Sequence, residues 1–409
     1  ARGQTVAVAD YNDDGFADLA LGRYDVPTRS YLLQNTGQGV FSVVTNTAWT
    51  LQGARYESIS SADYNGDGLP DLLGMGTSRP LPFRNTGDGN FGLATGSLLY
   101  NFQVGRTTLS AAWGDYDNDG RLDVAISYVF GSPTTLQVFL NDGTGEFTLA
   151  FSVAVHSQYV SCADYDNDGL LDLYATGFNS RSRLYRNLGG GAFTEVLNEP
   201  IAQDIFGQWP MAGWGDYNND GFLDLLVGAR GSSNMLYRNT PNGNHWLKVK
   251  LDGRASNRAA IGAVVRATAT IGGQEVSQMR VVQAQSSFTE ICPHFGVGDA
   301  TTVTTLRIEW PSGIVQTLTN VAADQVITVT EHQEYPGPQP ELAMPTLLPN
   351  GVWFSITEPT APAVYTLEAS TDLVSWTKLM ARTSAGGTFT YTNAFSANYS
   401  RRFYRVVVP

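Results

Sequence analysis

Cysteine is almost missing from this sequence: Cys162 and Cys292 are the only two in 409 residues. They allow one disulfide at most and cannot build a thiolate metal cluster alone. Two buried thiols are the expectation, since unpaired cysteine is among the most buried residue types. Lysine is confined to Lys248, Lys250 and Lys378, and the formal net charge is −13; a nucleic-acid binder needs the opposite sign. No apolar run reaches the 18 or so residues of a membrane-spanning helix, and the chain does not open on a basic and then apolar signal segment. A soluble, already processed chain is expected. Histidine is limited to His156, His245, His294 and His332, which leaves little material for general-base chemistry. Set against these shortages, 42% of the residues are hydrophobic and 43 are glycine, with 19 tyrosines, 19 phenylalanines and 8 tryptophans. Such a chain buries cores, so disorder is excluded as its main state. At about 150 residues per domain, two or three domains are expected.

What the sequence does have is a repeat. The segment Asp10-Tyr-Asn-Asp-Asp-Gly-Phe-Ala-Asp18 returns at Asp63–Asp71, Asp115–Asp123, Asp164–Asp172 and Asp216–Asp224. An echo follows each copy, Asn35-Thr-Gly-Gln-Gly-Val-Phe41 and its counterparts beginning at Asn85, Asn141 and Asn187; the fifth degrades to Asn239-Thr-Pro-Asn-Gly-Asn-His245. Short apolar strands flank each acidic loop, a third ends at the echo, and a Phe-led strand completes the unit. Units of about 50 residues with four strands have the size of propeller blades. The expected fold is all-β, a β-propeller over 1–243 with five recognisable repeats.

The loops have the logic of a hard-cation cage. Positions 1, 3 and 5 offer side-chain oxygens: Asp10, Asn12 and Asp14; Asp63, Asn65 and Asp67; Asp115, Asp117 and Asp119; Asp164, Asp166 and Asp168; Asp216, Asn218 and Asp220. Position 6 is always glycine, as a sharp turn with positive φ requires. Position 7 then offers a backbone carbonyl, from Phe16, Leu69, Arg121, Leu170 and Phe222, and position 9 is always aspartate, Asp18, Asp71, Asp123, Asp172 and Asp224. Five or six oxygen ligands in a flexible loop suit calcium better than zinc, copper or magnesium. The rival EF-hand needs a bidentate Glu at position 12 between helices, where this chain has Leu21, Gly74, Ile126, Ala175 and Val227 between strands. The bland alternative, that Asp, Asn and Gly merely make good turns, does not account for five copies with the same carboxylate positions. Eighteen of the 38 acidic residues fall in these loops, and such packing without cations would raise their pKa values by mutual repulsion. About five calcium ions with a structural role are expected.

These Asp-x-Asx-x-Asp-Gly-x-x-Asp-Leu loops with Phe-led strands between them resemble the FG-GAP or VCBS repeats of integrin-alpha-like propellers. The resemblance implies calcium between the first two strands of each blade. Such propellers usually have seven blades. Five loops leave three readings open: a smaller ring, blades without the loop, or residues lost before Ala1. The next region carries Asn244-His-Trp-Leu-Lys-Val-Lys-Leu, Ser256-Asn-Arg-Ala-Ala-Ile-Gly-Ala263, His294-Phe-Gly-Val-Gly298 and Ile308-Glu-Trp-Pro-Ser-Gly313. It is similar to the ASPIC and UnbV domain that follows such repeats in secreted proteins, the cartilage acidic proteins among them. This implies an ASPIC/UnbV-like β domain over 244–333, a structural role for His245 and His294, and a secreted, extracellular or cell-surface setting. Tyr335-Pro-Gly-Pro-Gln-Pro340 marks a stiff linker over 334–341. The short strands of 342–409, such as Tyr365–Trp376 and Arg402–Val406, resemble an immunoglobulin-like or fibronectin-like sandwich.

For function, the segments between strands two and three lie at the end opposite the acidic loops. Together with the connections between blades they hold Arg23, Arg29, Arg55, Arg79, Arg106, Arg181, Arg183 and Arg230 with Tyr24, Tyr56, Tyr128, Tyr159 and Trp209. Guanidinium forks and aromatic faces suit acidic glycans or protein loops, and a merely solvated rim is an equal alternative. Recognition, adhesion or assembly of an extracellular glycan or protein is expected, with self-association as a further possibility. A polysaccharide-active, lyase-like enzyme is the alternative, with His156 and Tyr159 as weak catalytic candidates. No nucleophile elbow, phosphate loop or His-Glu-x-x-His motif is present.

Overall fold

The computed structural model describes residues 4–23, 30–45, 47–51, 55–76, 79–102, 107–129, 134–283 and 291–332, and of the last region 341–342, 346–348, 351–358, 364–370, 377–383, 387–394 and 403–407. Within these residues the protein is all-β, and its helices are single turns at Ala48–Leu51, Leu98–Asn101 and Pro200–Ala202.

Each of the first four repeats folds into an antiparallel sheet whose strands lie side by side in chain order. The sheets are Gln4–Ala9, Asp18–Arg23, Tyr31–Asn35 and Phe41–Val44; Tyr56–Ala62, Asp71–Gly76, Pro80–Asn85 and Phe91–Leu93; Thr107–Gly114, Asp123–Val129, Thr135–Asn141 and Phe147–Ala154; Ser157–Ala163, Asp172–Gly177, Arg183–Asn187 and Phe193–Val196. The fifth departs from the four-strand expectation. It has three strands, Gln208–Gly215, Asp224–Arg230 and Met235–Tyr237. Pro241 stands in its degraded turn, where the echo of the other copies has a glycine whose N–H donates to the echo asparagine Oδ1, a bond proline cannot make. The next strand, His245–Asp252, leaves the repeat to pair with His294–Gly298 and Gln325–Thr330.

The first strand of every repeat neighbours the first strand of the next. Tryptophans tie these inner strands together: Trp113 Nε1 donates to Ser60 Oγ at 2.9 Å and Trp214 Nε1 to Ser161 Oγ at 3.0 Å, one repeat back in each case. Truncating a buried indole of this kind costs roughly 3–5 kcal/mol. The second strands of repeats two and four, Asp71–Gly76 and Asp172–Gly177, are buried along their whole length, so neighbours cover both faces. The second strand of repeat one is buried only at alternate residues. In repeat five, Leu226 and Leu236 are 53% exposed. The series therefore has two partly open end sheets around three closed ones.

The following region packs two sheets around one core. Val264–Ile271 sits between Gln274–Val281 and Thr302–Glu309, and the latter pairs onward with Val315–Ala322. The core holds Leu247, Val249, Val265, Phe295, Leu306, Ile308 and Trp310. Ala1–His332 forms one compact unit and Gln333–Pro409 another. In the latter, Gly351–Glu358 pairs with Glu341–Leu342, Thr346–Leu348 and Gly387–Ala394, and Val364–Ser370 pairs with Thr377–Thr383 and Phe403–Val407. Ile356, Tyr365 and Leu367 are its buried centre. Of the expected linker, 334–340 lies outside the described residues and Glu341 already belongs to a strand.

Candidate metal centre

All five acidic loops fold alike. Position 4 is in the left-handed region in each, with φ of 58° at Asp13, 72° at Gly66, 58° at Asn118, 57° at Asn167 and 60° at Asn219. Position 6 follows with φ of 84–94° from Gly15 to Gly221, as the sharp turn was expected to need. The aspartate at position 1 then caps its own turn: Asp115 Oδ1 accepts from Asp119 N at 3.0 Å and its Oδ2 from Gly120 N at 3.0 Å, and Asp10, Asp63, Asp164 and Asp216 do the same.

Position 9 is fixed by two backbone donors. Asp123 Oδ2 accepts from Tyr116 N and its Oδ1 from Asn141 N, both at 2.9 Å. The pattern recurs at Asp18, Asp71, Asp172 and Asp224. The donating asparagine is the one that opens the echo, which gives that motif its purpose. From repeat two onward its side-chain amide also reaches back one repeat. Asn85 Nδ2 donates to Tyr11 O, Asn141 to Tyr64 O, Asn187 to Tyr116 O and Asn239 to Tyr165 O. A second bond from each goes to the position-8 carbonyl of its own loop. Each asparagine thus locks one loop to the next, a role the sequence announces by recurrence but not by partner.

The carboxylates are crowded and dry. Asp18, Asp71, Asp115, Asp123, Asp164 and Asp172 are all at most 1% exposed. Burial, ahead of every other influence, pushes Asp115 up to about 7 and Asp71, Asp123 and Asp164 up to about 8, and neighbouring carboxylates add to the rise. Burial makes these carboxylates costly to keep ionised, and a bound cation would offset that cost. Asp115, Asp117 and Asp119 bring oxygens within 4.8 Å of one another, as do Asp164, Asp166 and Asp172. In the first loop the buried Asn12 Oδ1 has no hydrogen-bond partner, while its Nδ2 binds Asp14. An orphaned oxygen beside three carboxylates fits a hard divalent ion. Arginines share some of the remaining charge: Arg186 bridges Asp166 and Asp168, Arg121 pairs with Asp119, and Arg238 lies 3.5 Å from Asp220.

The candidate ligand end is less uniform than expected. Arg181 and Arg183 both bind Glu195 Oε1, at 2.5 and 2.6 Å, and two guanidiniums on one carboxylate leave a net positive charge there. Arg23 lies over Tyr31, and Arg79 lies over Tyr100 at 4.5 Å and donates to its carbonyl. Arg230 is exposed, and Arg29 lies outside the described residues. Beside Arg230, in register with Gln208, stands Trp209, 41% exposed with φ 54° and edge-on to Phe178. His156 Nδ1 lies 3.3 Å from Thr134 Oγ1, and the Tyr159 phenol is pushed up chiefly by burial and also by Glu57. Cys162 and Cys292 are not joined in a disulfide.

Family models match two kinds of segment in the chain. FG-GAP-like repeats match residues 4–74, 75–126 and 164–227, an FG-GAP repeat matches 212–245, and ASPIC and UnbV matches 253–336. The chain carries FG-GAP repeats followed by an ASPIC and UnbV region. All five acidic loops fall inside the FG-GAP matches. Cartilage acidic protein 1 of Xenopus tropicalis is 27% identical over 380 residues, covering 87% of this chain and 48% of that protein. The chain thus spans about half the length of this relative. Among solved structures, a glycoside hydrolase is 11% identical with a TM-score of 0.33, over 99% of this chain and 95% of its own. Aleuria aurantia lectin in complex with α-methyl-L-fucoside is 8% identical with a TM-score of 0.36, over 78% of this chain and 95% of its own. Likenesses this slight carry no conclusion about the FG-GAP repeats.

Proposed function

We propose that the protein is a calcium-stabilised β-propeller that works outside the cell as a recognition or adhesion module. In this reading each acidic loop holds one ion through positions 1, 3, 5 and 9 and the position-7 carbonyl, and the ions are structural. Calcium supplies the charge that lets the buried carboxylates stay ionised; the chain's own residues supply the cage. The immunoglobulin-like or fibronectin-like reading of 342–409 belongs to the same proposal, as a spacer without chemistry.

The observation that carries the recognition role is the unequal finish of the two ends of the repeat sheets. Loops three to five are in contact with the region after the repeats, although Phe16 and Tyr217 of loops one and five stay exposed, and the opposite end presents Trp209, Phe178 and Arg230 to solvent. An exposed indole held in left-handed backbone beside a guanidinium suits a carboxylated or sulfated sugar, or an acidic protein loop. The test is binding of calcium-loaded protein to an array of sulfated and uronate oligosaccharides, with Trp209→Ala/Arg230→Ala alongside. Binding lost in the double variant is expected. Equal binding by both proteins would move the site elsewhere.

A further inference from the structure

The five loops are not equally covered, and their position-6 glycines measure the difference. A Cβ on Gly221 would meet the Trp246 ring at 1.8 Å, one on Gly169 would meet Ile271 at 2.9 Å, and one on Gly120 would meet Arg266 Nη1 at 2.9 Å. On Gly15 the nearest atom is Ala255 O at 4.0 Å, and on Gly68 nothing lies within 4 Å. Trp246, Arg266 and Ile271 all belong to the region after the repeats. At this position loops three to five are therefore pressed against that region, loop one barely touches it, and the glycine of loop two meets none of it within 4 Å, although Tyr64 of that loop shares a buried cluster with Met279.

The contacts are made to the acidic loops themselves. Gly296 N donates to Asp164 Oδ2, a candidate ligand, at 3.2 Å, and Gly298 N donates to Asn167 O at 2.9 Å. His294 Nε2 lies 2.9 Å from Gly221 O, and Arg266 Nη1 donates to Gly120 O at 3.1 Å. Asn242 and Asn244 both donate to Asp166 O. Neighbouring loops are linked in turn, since Asn118 Nδ2 reaches Gly169 O and Asn167 Nδ2 reaches Gly221 O. The approach is so close that a Cβ on Gly296 would lie 2.3 Å from both Asn167 Cα and Asp164 Oδ2. These acceptors are in place only when the loops hold their tight turns, and holding those turns is what a bound ion does.

We infer that calcium binding in loops three to five and docking of residues 245–332 are one coupled equilibrium, so that the five sites divide into a covered, tight set and an open, weaker pair in loops one and two. The inference rests on the calcium reading above. Coupling is reciprocal: if the ions favour docking, the docked region favours the ions by the same factor. It is carried by loop shape rather than by charge, because Arg280 places a positive charge near Asp115 and Asp164 and so opposes an ion there.

The experiment uses the full chain, stripped by chelator and titrated with calcium. Metal content and amide exchange are both followed. With calcium removed, exchange at Gly296 and Gly298 should speed up at least tenfold, while Val265 and Leu306 in the region's own core stay protected. Unchanged protection at Gly296 and Gly298 in protein confirmed to be calcium-free would overturn the coupling. A chain that binds no calcium would overturn both the coupling and the reading beneath it. If the stripped chain unfolds as a whole, Arg266→Gln together with Asn244→Ala, at the residue that leads into the docked region, provides the decision, since neither residue is a candidate ligand. Loss of two such hydrogen bonds should weaken the covered sites about tenfold and leave the open pair alone; equal affinity at every site would contradict it.

Discussion

The two ends of the repeat sheets are built from the same turns and strands yet finished in opposite ways. At the loop end the position-1 and position-9 aspartates accept backbone donors, the echo asparagines of repeats two to five bond the preceding repeat, and the region after the repeats contacts loops three to five. At the other end Trp209, Phe178, Ile205 and Arg230 remain exposed. The contrast teaches where the chain places its stability and where it leaves aromatic and arginine surface exposed. Substitutions at the first end should act on folding, and those at the second on binding.

The strongest way to break the contrast is to empty one carboxylate position. Asp172→Ala removes a candidate ligand and leaves Tyr165 N and Asn187 N without their acceptor. A loss of about 4 kcal/mol is expected, read as a large drop in the denaturation midpoint. Next comes acid. His294 is buried and held down to about 4, first by desolvation and then by the charges of Arg280 and Lys248, against the pull of Gly221 O. A lowered histidine favours the folded state above its unfolded pKa near 6.5, and that share is lost as pH falls through 4. The loss amounts to roughly 3 kcal/mol at most, and His294→Gln should flatten stability between pH 6.5 and 4 in calcium-saturated protein.

Asn141→Ala should follow, at about 2 kcal/mol for two buried side-chain bonds. It should also raise exchange at Tyr116 and Gly143 more than at any site in repeat one. The smallest effect sharpens the comparison from the other side: Trp209→Ala/Arg230→Ala should change stability by no more than about 0.5 kcal/mol while binding is lost. A large destabilisation there would make Trp209 a structural residue.

Much of this was legible in the residues because the same local problem is solved five times. A loop that needs positive φ, converging oxygens and a buried ninth carboxylate leaves the same letters at each copy, and the glycines of position 6 take the conformation expected of them. The echo asparagine was legible as a recurrence only, since its partner Tyr64 lies 77 residues from Asn141. The pairing of Arg181 and Arg183 with Glu195 was hidden for a similar reason. Glu195 stands opposite Tyr185 on the next strand, so that register, not spacing in the chain, brings the three together. The cover over loops three to five was present in the sequence as His294-Phe-Gly-Val-Gly298, whose two glycines supply the amides that reach loop four. Their contact depends on a docking that no local pattern encodes. The missing fourth strand of repeat five coincides with Pro241, which stands where the other echoes have the glycine that donates to the echo asparagine.

The most direct test of the account is to strip the full chain with chelator, refill it with calcium while counting bound ions, and follow thermal melting throughout. The account predicts close to five ions and a large rise in the melting temperature on refilling, with loops three to five filling before the open pair. Little or no binding, with a melting temperature unmoved by chelation, would contradict it and reduce the acidic loops to well-made turns.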